Sequence, residues 1–253
     1  MMAQPIILLS LNSVCFEASG KQLIKEFSYQ FKVGPRSIII GPNGAGKSLL
    51  LKLCHRLLEP SQGHIQWHSE TENKSNMALD QAMVFQRPVM LRRTVSANIE
   101  YALSLRGLNK AQRRARTEEV LGLTGLSHLA RFSARVLSFG EQQKLALARA
   151  WALRPRVLFL DEPTASLDPA ATYEIEKVIN AIHKSGAQII MTTHDLPQAQ
   201  RLADEVLFIH RGRLLESGPA TAFFAGPTNK FAQAFLKGDL LLWNRPETKI
   251  QGE

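Results

Sequence analysis

The stretch GPNGAGKS, residues 41–48, decides the fold of this chain. It fits the pattern G-x-x-x-x-G-K-[S/T] in full, and it lies between the strand-like run at residues 36–40, which ends in three isoleucines, and the helical pattern LLLKLCHRLL at 49–58. Glycines let successive backbone N–H groups converge on phosphate oxygens, because they adopt dihedral angles that other residues avoid. A helix that begins near Lys47 directs its positive end toward the same phosphates. The stretch therefore predicts a phosphate-binding loop between a buried strand and a helix.

Each residue type in this loop has an expected role in holding a nucleotide. Lys47 supplies a full positive charge for the β- and γ-phosphates, and the Ser48 hydroxyl is a magnesium ligand. Leu49 follows at a position where related loops often carry a second hydroxyl, so we expect one contact to the α-phosphate to be missing. The candidate nucleotide-binding residues of this stretch are Gly41, Pro42, Asn43, Gly44, Ala45, Gly46, Lys47, Ser48 and Leu49.

The composition of the chain limits the classes of protein that could carry this loop. The chain has 253 residues, of which 45% are hydrophobic, enough for one large domain or two small ones. Its two cysteines, Cys15 and Cys54, are far apart, which argues against a disulfide framework or a zinc site and fits a reducing compartment. It shows no signal-peptide pattern and no apolar run near the ~18 residues that span a bilayer. We therefore expect a soluble protein, or one that a partner holds at a membrane.

The formal net charge of +9 is concentrated in the middle of the chain. Between residues 87 and 116 the single acid Glu100 stands against eight basic residues: Arg87, Arg92, Arg93, Arg106, Lys110, Arg113, Arg114 and Arg116. Two interpretations stay open at this point. The stretch is either the solvated face of ordinary helices or a surface for an anionic partner, such as a membrane or a nucleic acid.

The order of predicted elements indicates an α/β fold. Strand-like runs occupy residues 6–11, 26–33, 36–40, 63–68 and 82–86, and strands then alternate with helices from residue 157 to about 203. Such alternation predicts parallel βαβ units. A helical block at about 87–136, in which Asn109 is a plausible N-cap, interrupts the alternation as an inserted subdomain. We assign residues 1–229 to one domain and 230–253 to a C-terminal tail whose polar end, NRPETKIQGE, we expect to be disordered.

Two acidic residues end a second predicted strand, in VLFLDEP at 157–163. Asp161 is expected to hold magnesium, and Glu162 is expected to take a proton from the attacking water. His194 follows the predicted strand at 188–193, where its neutral ring can both donate and accept a hydrogen bond near a γ-phosphate. Gln86 ends the predicted strand AMVFQ and is a candidate contact for magnesium or water. Each signal is weak by itself and becomes strong beside the loop at 41–48.

The stretch LSFGEQQK, residues 137–144, has two compatible interpretations. Ser138 and Glu141 fit S-x-x-E, a capping box that opens the helix predicted at 142–153. A capped helix N-terminus is also an anion site. We expect the Glu141 carboxylate to fold back onto the cap, because a carboxylate aimed at a phosphate would be repelled.

These segments, in this order, resemble the ATP-binding cassette (ABC) family of nucleotide-binding subunits over about residues 8–228. GPNGAGKS is similar to Walker A, Gln86 to the Q-loop, LSFGEQQK to the signature, LFLDEP to Walker B, SLD at 166–168 to the D-loop, and His194 to the switch histidine. The resemblance implies a P-loop NTPase with a RecA-like core, an antiparallel β subdomain and the inserted α-helical subdomain. It also implies ATP and Mg²⁺ as cofactors.

The resemblance further implies how such a cassette works. Two copies form a head-to-tail homodimer, in which Ser138, Gly140 and Glu141 of one copy face the nucleotide held by the other. The family usually carries Gly where this chain has Phe139, and Phe16 is the candidate for its adenine-stacking aromatic. The inserted helices are expected to dock on membrane-spanning permease subunits at the cytoplasmic face of the membrane. The motif surroundings resemble importers of phosphate, molybdate or tungstate, which also use an extracytoplasmic solute-binding protein.

Two other functions remain open from the sequence alone. The first is a non-transport ABC ATPase acting on nucleic acid, which the charge allows, although such proteins commonly carry two cassettes or long coiled-coil insertions. The second is a structural cassette that hydrolyses ATP weakly, which the change at Phe139 allows. We expect an importer ATPase that does not bind nucleic acid.

Overall fold

The computed structural model describes residues 7–68 and 80–239. Two sheets form its framework. Strands β1 (Ile7–Ala18), β2 (Lys21–Lys32) and β4 (Gln62–Trp67) make an antiparallel sheet in the order β2-β1-β4. Strands β3 (Ser37–Ile40), β5 (Gln81–Val84), β6 (Val157–Asp161), β7 (Gln188–Thr193), β8 (Glu205–His210) and β9 (Arg213–Pro219) make the second sheet, in the order β5-β6-β7-β3-β8-β9. All its pairings are parallel except β8 with β9.

The helices are α1 (Lys47–Cys54), α2 (Val95–Ser104), α3 (Lys110–Leu123), α4 (Phe139–Ala152), α5 (Pro169–Lys184), α6 (Leu196–Leu202), α7 (Ala220–Ala225) and α8 (Lys230–Leu236). Short 3-10 turns at Ser127–Leu129 and Ala134–Val136 lie between α3 and α4. Among the described residues, no helix combines the length and the apolar character that crossing a membrane requires.

Three apolar clusters show how the layers are joined. One lies between the antiparallel sheet and one face of the parallel sheet and encloses α1 through Leu50, Leu51 and Leu53. A second covers the opposite face of the parallel sheet with α5, α6 and part of α4. The third joins α2, α3 and α4. Helix α4 contributes to two clusters, Leu145 and Ala148 to the third and Ala146 and Leu147 to the second, so it packs the inserted helices against the parallel sheet.

Parallel pairing brings the functional segments to one edge of the second sheet. Asp161 pairs with Thr192, and Ile40 pairs with Thr193, so β6, β7 and β3 end at the same level. Because the loops after neighbouring parallel strands meet at their carboxyl ends, this edge is where an α/β sheet binds its ligands. The phosphate loop, the two acids and the switch histidine all follow strands that end here.

Several predicted boundaries were wrong, each for a local reason. The strand predicted to end at Gln86 ends at Val84, its last partner being Leu160. The helix predicted at 49–58 ends at Cys54, because Arg56 adopts a left-handed φ of 63° and Leu57 N–H bonds back to the Lys52 carbonyl. The helix predicted from 142 begins at Phe139. The polar end of the predicted tail, NRPETKIQGE, lies outside the described residues.

Candidate functional site

The phosphate loop leads directly into α1, which begins at Lys47 as the sequence predicts. Gly44 and Gly46 have φ values of 77° and 102°, which residues with a Cβ avoid. A Cβ on Gly46 would also lie 2.7 Å from Ile24 Cδ1, and one on Gly41 would overlap the Ile209 carbonyl. The loop therefore needs glycine both for its dihedral angles and for its close fit against the two sheets.

Lys47 places a positive charge at the base of this loop. Its side chain is only 5% exposed, and its Nζ donates to the carbonyl oxygens of Gly41, at 2.9 Å, and Pro42, at 3.2 Å. The Glu162 carboxylate lies 3.4 Å from the same nitrogen. A buried ammonium is stable only with such partners, and Lys47 lines the same cleft as the other residues of the loop from Asn43 to Ser48. The arrangement concentrates positive potential where a polyphosphate chain would lie.

The two acids at the end of β6 lie in different environments. Asp161 is buried, and its Oδ1 accepts hydrogen bonds from the hydroxyls of Ser48, at 2.7 Å, and Thr192, at 2.8 Å. These two bonds hold a carboxylate oxygen next to the first turn of α1. Oxygen donors of this kind, a carboxylate beside a hydroxyl, are the ligands that Mg²⁺ prefers. Two of the three residues predicted for magnesium, Ser48 and Asp161, are therefore in direct contact, and the third, Gln86, lines the same cleft.

Glu162 lies where the backbone turns out of the sheet. Its φ is 44°, in the left-handed region, and its N–H donates to both the hydroxyl and the carbonyl oxygen of Thr192, at 3.1 Å each. Its carboxylate accepts a 2.9 Å hydrogen bond from His194 Nδ1 and lies 3.4 Å from Lys47 Nζ. Strained backbone persists where surrounding contacts impose it. Here those contacts point the carboxylate into the cleft, between the lysine and the histidine.

A cleft of about 570 Å³ connects these side chains. Its lining comprises Leu23, Asn43, Gly44, Ala45, Gly46, Lys47, Ser48, Leu49, Gln86, Glu162 and His194. Gln86 reaches the cleft from two residues beyond β5. Phe16 is not among the described residues of this lining: it lies on β1 opposite Ile24, half-buried against the core, and Leu23 of β2 contributes instead.

The signature stretch forms the capping box that the sequence predicts. Ser138 is the N-cap of α4, where its Oγ accepts from Glu141 N–H at 3.3 Å. The Glu141 carboxylate turns back to accept from Ser138 N–H, at 2.8 Å, and from Ser138 Oγ, at 2.7 Å. The two bonds from Ser138 hold the pKa of Glu141 below its ordinary value. The Glu141 carboxylate is thus occupied within its own helix turn, as predicted.

Comparison with known proteins identifies this set of segments. The family model described as ABC transporter matches residues 24–165, which contain the phosphate loop, the signature and the acid pair. The chain is 39% identical over 206 residues to the tungstate uptake system ATP-binding protein TupC of Peptoclostridium acidaminophilum, covering 81% of this chain and 94% of that protein. This chain belongs to the ABC transporter family.

Further relatives of this cassette agree in sequence and in fold. It is 32% identical over 246 residues to the phosphate import ATP-binding protein PstB 2 of Aliivibrio fischeri, covering 91% of this chain and 90% of that protein. The solved structure of cbiO1 from Clostridium perfringens, part of the ABC transporter complex cbiONQ, matches with a TM-score of 0.79 and 29% identity, covering 87% of this chain and 91% of that chain. The predicted family and fold class are therefore confirmed, and the cassette is an ATP-binding ATPase domain.

Two contributors to the site were missed by the sequence reasoning. Thr192 forms hydrogen bonds with both Asp161 and Glu162. The sequence feature that could have indicated this role is the pair of threonines at the end of the otherwise apolar strand QIIMTT. Leu23 lines the cleft from a strand that was predicted to begin only at residue 26. The signal for Leu23 was weak, since the short apolar pair Leu23-Ile24 in a polar stretch does not indicate a ligand contact.

Proposed function

We propose that this cassette is the ATP-hydrolysing subunit of a prokaryotic importer, in which two copies drive a pair of membrane-spanning permease subunits. The observation that carries the proposal is the contact of Glu162 with both Lys47 and His194, directly beside the Ser48 and Asp161 pair. These contacts place a base, a cation and a metal-type ligand set around one phosphate loop. The relatives named for tungstate and phosphate import support the importer branch.

The residues of the cleft fit a nucleoside triphosphate with magnesium. Lys47 and the loop amides would hold the phosphates, and Ser48, Asp161 and Gln86 would hold Mg²⁺ directly or through water. When bound, Mg²⁺ would neutralise part of the charge of the ATP phosphates, whose phosphoric anhydride bond is cleaved. Glu162 then orients and deprotonates water at its carboxylate, and His194 keeps that carboxylate in place through its Nδ1 contact. The Lys47 ammonium and the loop amides stabilise the charge on the phosphoryl oxygens.

The second half of each active site comes from another copy of the cassette. Ser138 and Gly140 are outside the cleft lining among the described residues, and Ser138 is exposed at the start of α4. Phe139 is 37% exposed. Residues that bond only within their own helix turn, at an exposed helix N-terminus, are placed to receive an anion from outside the chain. A head-to-tail homodimer would supply that anion as the γ-phosphate bound to the other copy.

Exposed apolar residues indicate where the permease would dock. Of the twelve large hydrophobic side chains that are exposed in the described part of the chain, eight lie within residues 85–139. The most exposed are Val89, Leu105 and Val136, at 68%, 70% and 71%. Exposed apolar surface of this kind marks a protein or membrane contact. Because Gln86 lies in the same segment, docking there would reach the cleft directly.

The basic stretch at 87–116 is only partly a surface feature. Arg116 is buried and donates to the carbonyl oxygens of Trp151 and Ala152, and Arg113 donates to the Leu108 carbonyl. Arg93 stacks over the Tyr101 ring at 4.8 Å. The charges that remain exposed would face the anionic cytoplasmic leaflet, in keeping with a peripheral position there. The relatives named for import favour a membrane partner over the alternative of nucleic acid, since the exposed charges would suit either one.

The transported solute would be an oxyanion, delivered by an extracytoplasmic solute-binding protein. This part of the proposal comes from the relatives named for tungstate and phosphate, since an ATPase subunit does not contact its cargo. A structural cassette with weak hydrolysis is less well supported, because the Glu162 carboxylate has both of its cleft partners in place.

Affinity purification from native membranes tests the proposal. The tagged chain should retain a membrane-spanning protein in detergent and should pass through a DNA column at moderate salt. Val89→Asp should lose the membrane protein, while Leu57→Asp, which alters a 50% exposed leucine outside the 85–139 segment, should keep it. Retention on DNA without any membrane partner would favour the nucleic-acid function.

A further inference from the structure

A buried cluster of polar side chains connects segments that border the cleft. Thr164 follows the acid pair, Glu176 lies on α5 and Gln198 lies on α6. Their exposures are 8%, 4% and 0%, so these side chains exchange hydrogen bonds with the protein in place of water. Neither the phosphate loop nor the acid pair needs this cluster for its own contacts.

The Gln198 side-chain amide is the centre of the cluster. Its Nε2 donates to Glu176 Oε1, at 3.2 Å, and to Thr164 Oγ1, at 2.8 Å, and the Thr164 hydroxyl lies 3.1 Å from Gln198 Oε1. A carboxylate only accepts hydrogen bonds, so the nitrogen end of the amide has to face Glu176. The orientation of the amide is thereby determined, and the Thr164 hydroxyl lies within hydrogen-bond distance of both its nitrogen and its oxygen.

Arg201 balances the buried charge of this cluster. Its Nε donates to Glu176 Oε2 at 2.9 Å, and its terminal nitrogen donates to Oε1 at 2.7 Å. The hydrogen bonds to Glu176 raise the pKa of Arg201. Arg201 and Gln198 lie one turn apart on α6, so both bind the same carboxylate of α5. This paired contact fixes the two helices relative to each other.

The cluster extends to residues of the active site at both ends. Gln198 N–H donates to the carboxylate of Asp195 at 2.8 Å, and Asp195 caps α6 immediately after His194. The Thr164 carbonyl accepts from Leu167 N–H at 3.1 Å, within the SLD segment at 166–168. Asp168 of that segment caps α5, which carries Glu176. Gln198 therefore links α6, which follows His194, to Thr164 before the SLD segment and to Glu176 after it.

We propose that Gln198 is a positioning residue that sets His194 relative to the SLD segment, an inference that rests on the proposed ATPase function. Helix α6 has only seven residues and cannot be stable by itself. His194 is half-exposed, so the start of α6 decides where its ring lies. Ser166 of the SLD segment has a left-handed φ of 68°, which neighbouring contacts must maintain. Gln198 holds both segments through one buried amide.

Two substitutions on the full-length chain test the proposal. Gln198→Leu and Thr164→Val remove the hydrogen bonds while roughly preserving volume, and we expect each to lower ATP turnover by about tenfold with little change in ATP affinity. The double variant should lose no more turnover than either single variant, because both break the same link.

Two control variants keep the link intact. Thr164→Ser keeps the hydroxyl and should retain turnover. Thr117→Val is the matched control: it alters a buried threonine in α3 whose hydroxyl has no hydrogen-bond partner, and it should change nothing.

A measurement without nucleotide separates positioning from general loss of structure. The imidazole NMR resonances of His194 should shift in Gln198→Leu and Thr164→Val and stay unchanged in Thr164→Ser and Thr117→Val. Unchanged His194 resonances with wild-type turnover would overturn the positioning role, and an inactive Glu162→Gln measured alongside would show that the ATPase function still holds. Additive losses in the double variant would also overturn it. If Gln198→Leu does not fold, the contrast between Thr164→Val and Thr164→Ser decides.

Discussion

The nucleotide cleft and the signature segment, residues 137–144, each contain the first turn of a helix, but in opposite surroundings. At the cleft, the start of α1 is surrounded by Asp161, Glu162 and His194 from two other strand ends. At the signature, Ser138 and Glu141 bond each other. The first helix start is surrounded by the groups proposed for catalysis, all from its own chain, and the second presents a capped N-terminus without them.

This difference suits the two regions to different roles within one cassette. Groups that perform chemistry need fixed geometry, and the cleft supplies it through buried bonds such as that from Thr192 to Asp161. Groups that would contact a second copy in the proposed homodimer need exposure, and Ser138 is exposed at the start of α4. Substitutions in the two regions should therefore differ in kind: those in the cleft should act on one chain, and those in the signature should act only when two chains meet.

The largest expected effect comes from Glu162→Gln. Loss of the proton acceptor should reduce ATP turnover by about 10³-fold while ATP affinity stays near wild type. Lys47 keeps the carbonyl acceptors of Gly41 and Pro42, so the fold should persist. Phosphate release and equilibrium ATP binding measure the two quantities, preferably with the membrane partner present. Glu174→Gln, an exposed glutamate of α5, is the control. A wild type as slow as Glu162→Gln would mean that the cassette is not a working ATPase.

Lys47→Ala should come next, and it should act on binding. Removing a buried cation from the phosphate loop should weaken ATP binding by about 100-fold, which corresponds to roughly 2.7 kcal/mol. The measurement is equilibrium titration of the single chain with ATP. Lys52→Ala changes a lysine in the last turn of the same helix and should leave affinity unchanged. Equal ATP affinities for Lys47→Ala and wild type would show that Lys47 does not bind the nucleotide.

Ser138→Ala addresses the other side of the comparison. The single chain should bind ATP normally, while turnover should fall by about tenfold, because in the proposed dimer the Ser138 hydroxyl would turn from Glu141 to donate to the partner's nucleotide. Loss of the cap should also cost about 1 kcal/mol of helix stability. Asn109→Ala removes an N-cap that forms the same kind of capping box at the start of α3. It should lower Tm to a similar extent without changing turnover, and equal turnover losses in both variants would show that Ser138 acts only through stability.

Phe139→Gly should have a smaller effect. The phenylalanine lies in the first turn of α4 and is 37% exposed, so its ring is not part of a core. Restoring the family's glycine should keep ATP binding intact and change turnover by less than about threefold, which is under 1 kcal/mol of barrier. Turnover and light scattering of the ATP-bound dimer check this. Loss of dimer formation in Phe139→Gly would show that the ring supports the closed state.

Glu141→Gln should have the smallest effect, visible only as a pH dependence. The hydrogen bonds from Ser138 lower the pKa of Glu141 in the folded chain, so its contribution to stability is present above the unfolded pKa and is lost as pH falls through the lower folded value. Glutamine also closes a capping box but does not titrate. Thermal unfolding between pH 7 and pH 3 should therefore show a slightly smaller decline for Glu141→Gln. A steeper decline than wild type would contradict the observed cap.

Much of the fold and the cleft could be predicted from the sequence, because both depend on short segments with strong local chemistry. The loop at 41–48 needs its glycines for backbone geometry, and the capping boxes at Asn109 and Ser138 are local by nature. Contacts between distant segments could not be predicted. Phe16 and Leu23 lie on the paired strands β1 and β2, and only the register of that pairing decides which one lines the cleft.

The sequence by itself determined the kind of chemistry: a phosphate loop, an acid pair, a histidine and a capped helix, each recognisable because a few adjacent residues suffice to build it. Only the tertiary structure decided how these parts meet. Thr192 bonds Asp161 because β6 and β7 pair in parallel with those residues side by side, and Gln198 reaches Thr164 because α5 and α6 pack on the same sheet face. Hydrogen bonds act over about 3 Å, so they depend on packing that residue order along a chain does not specify.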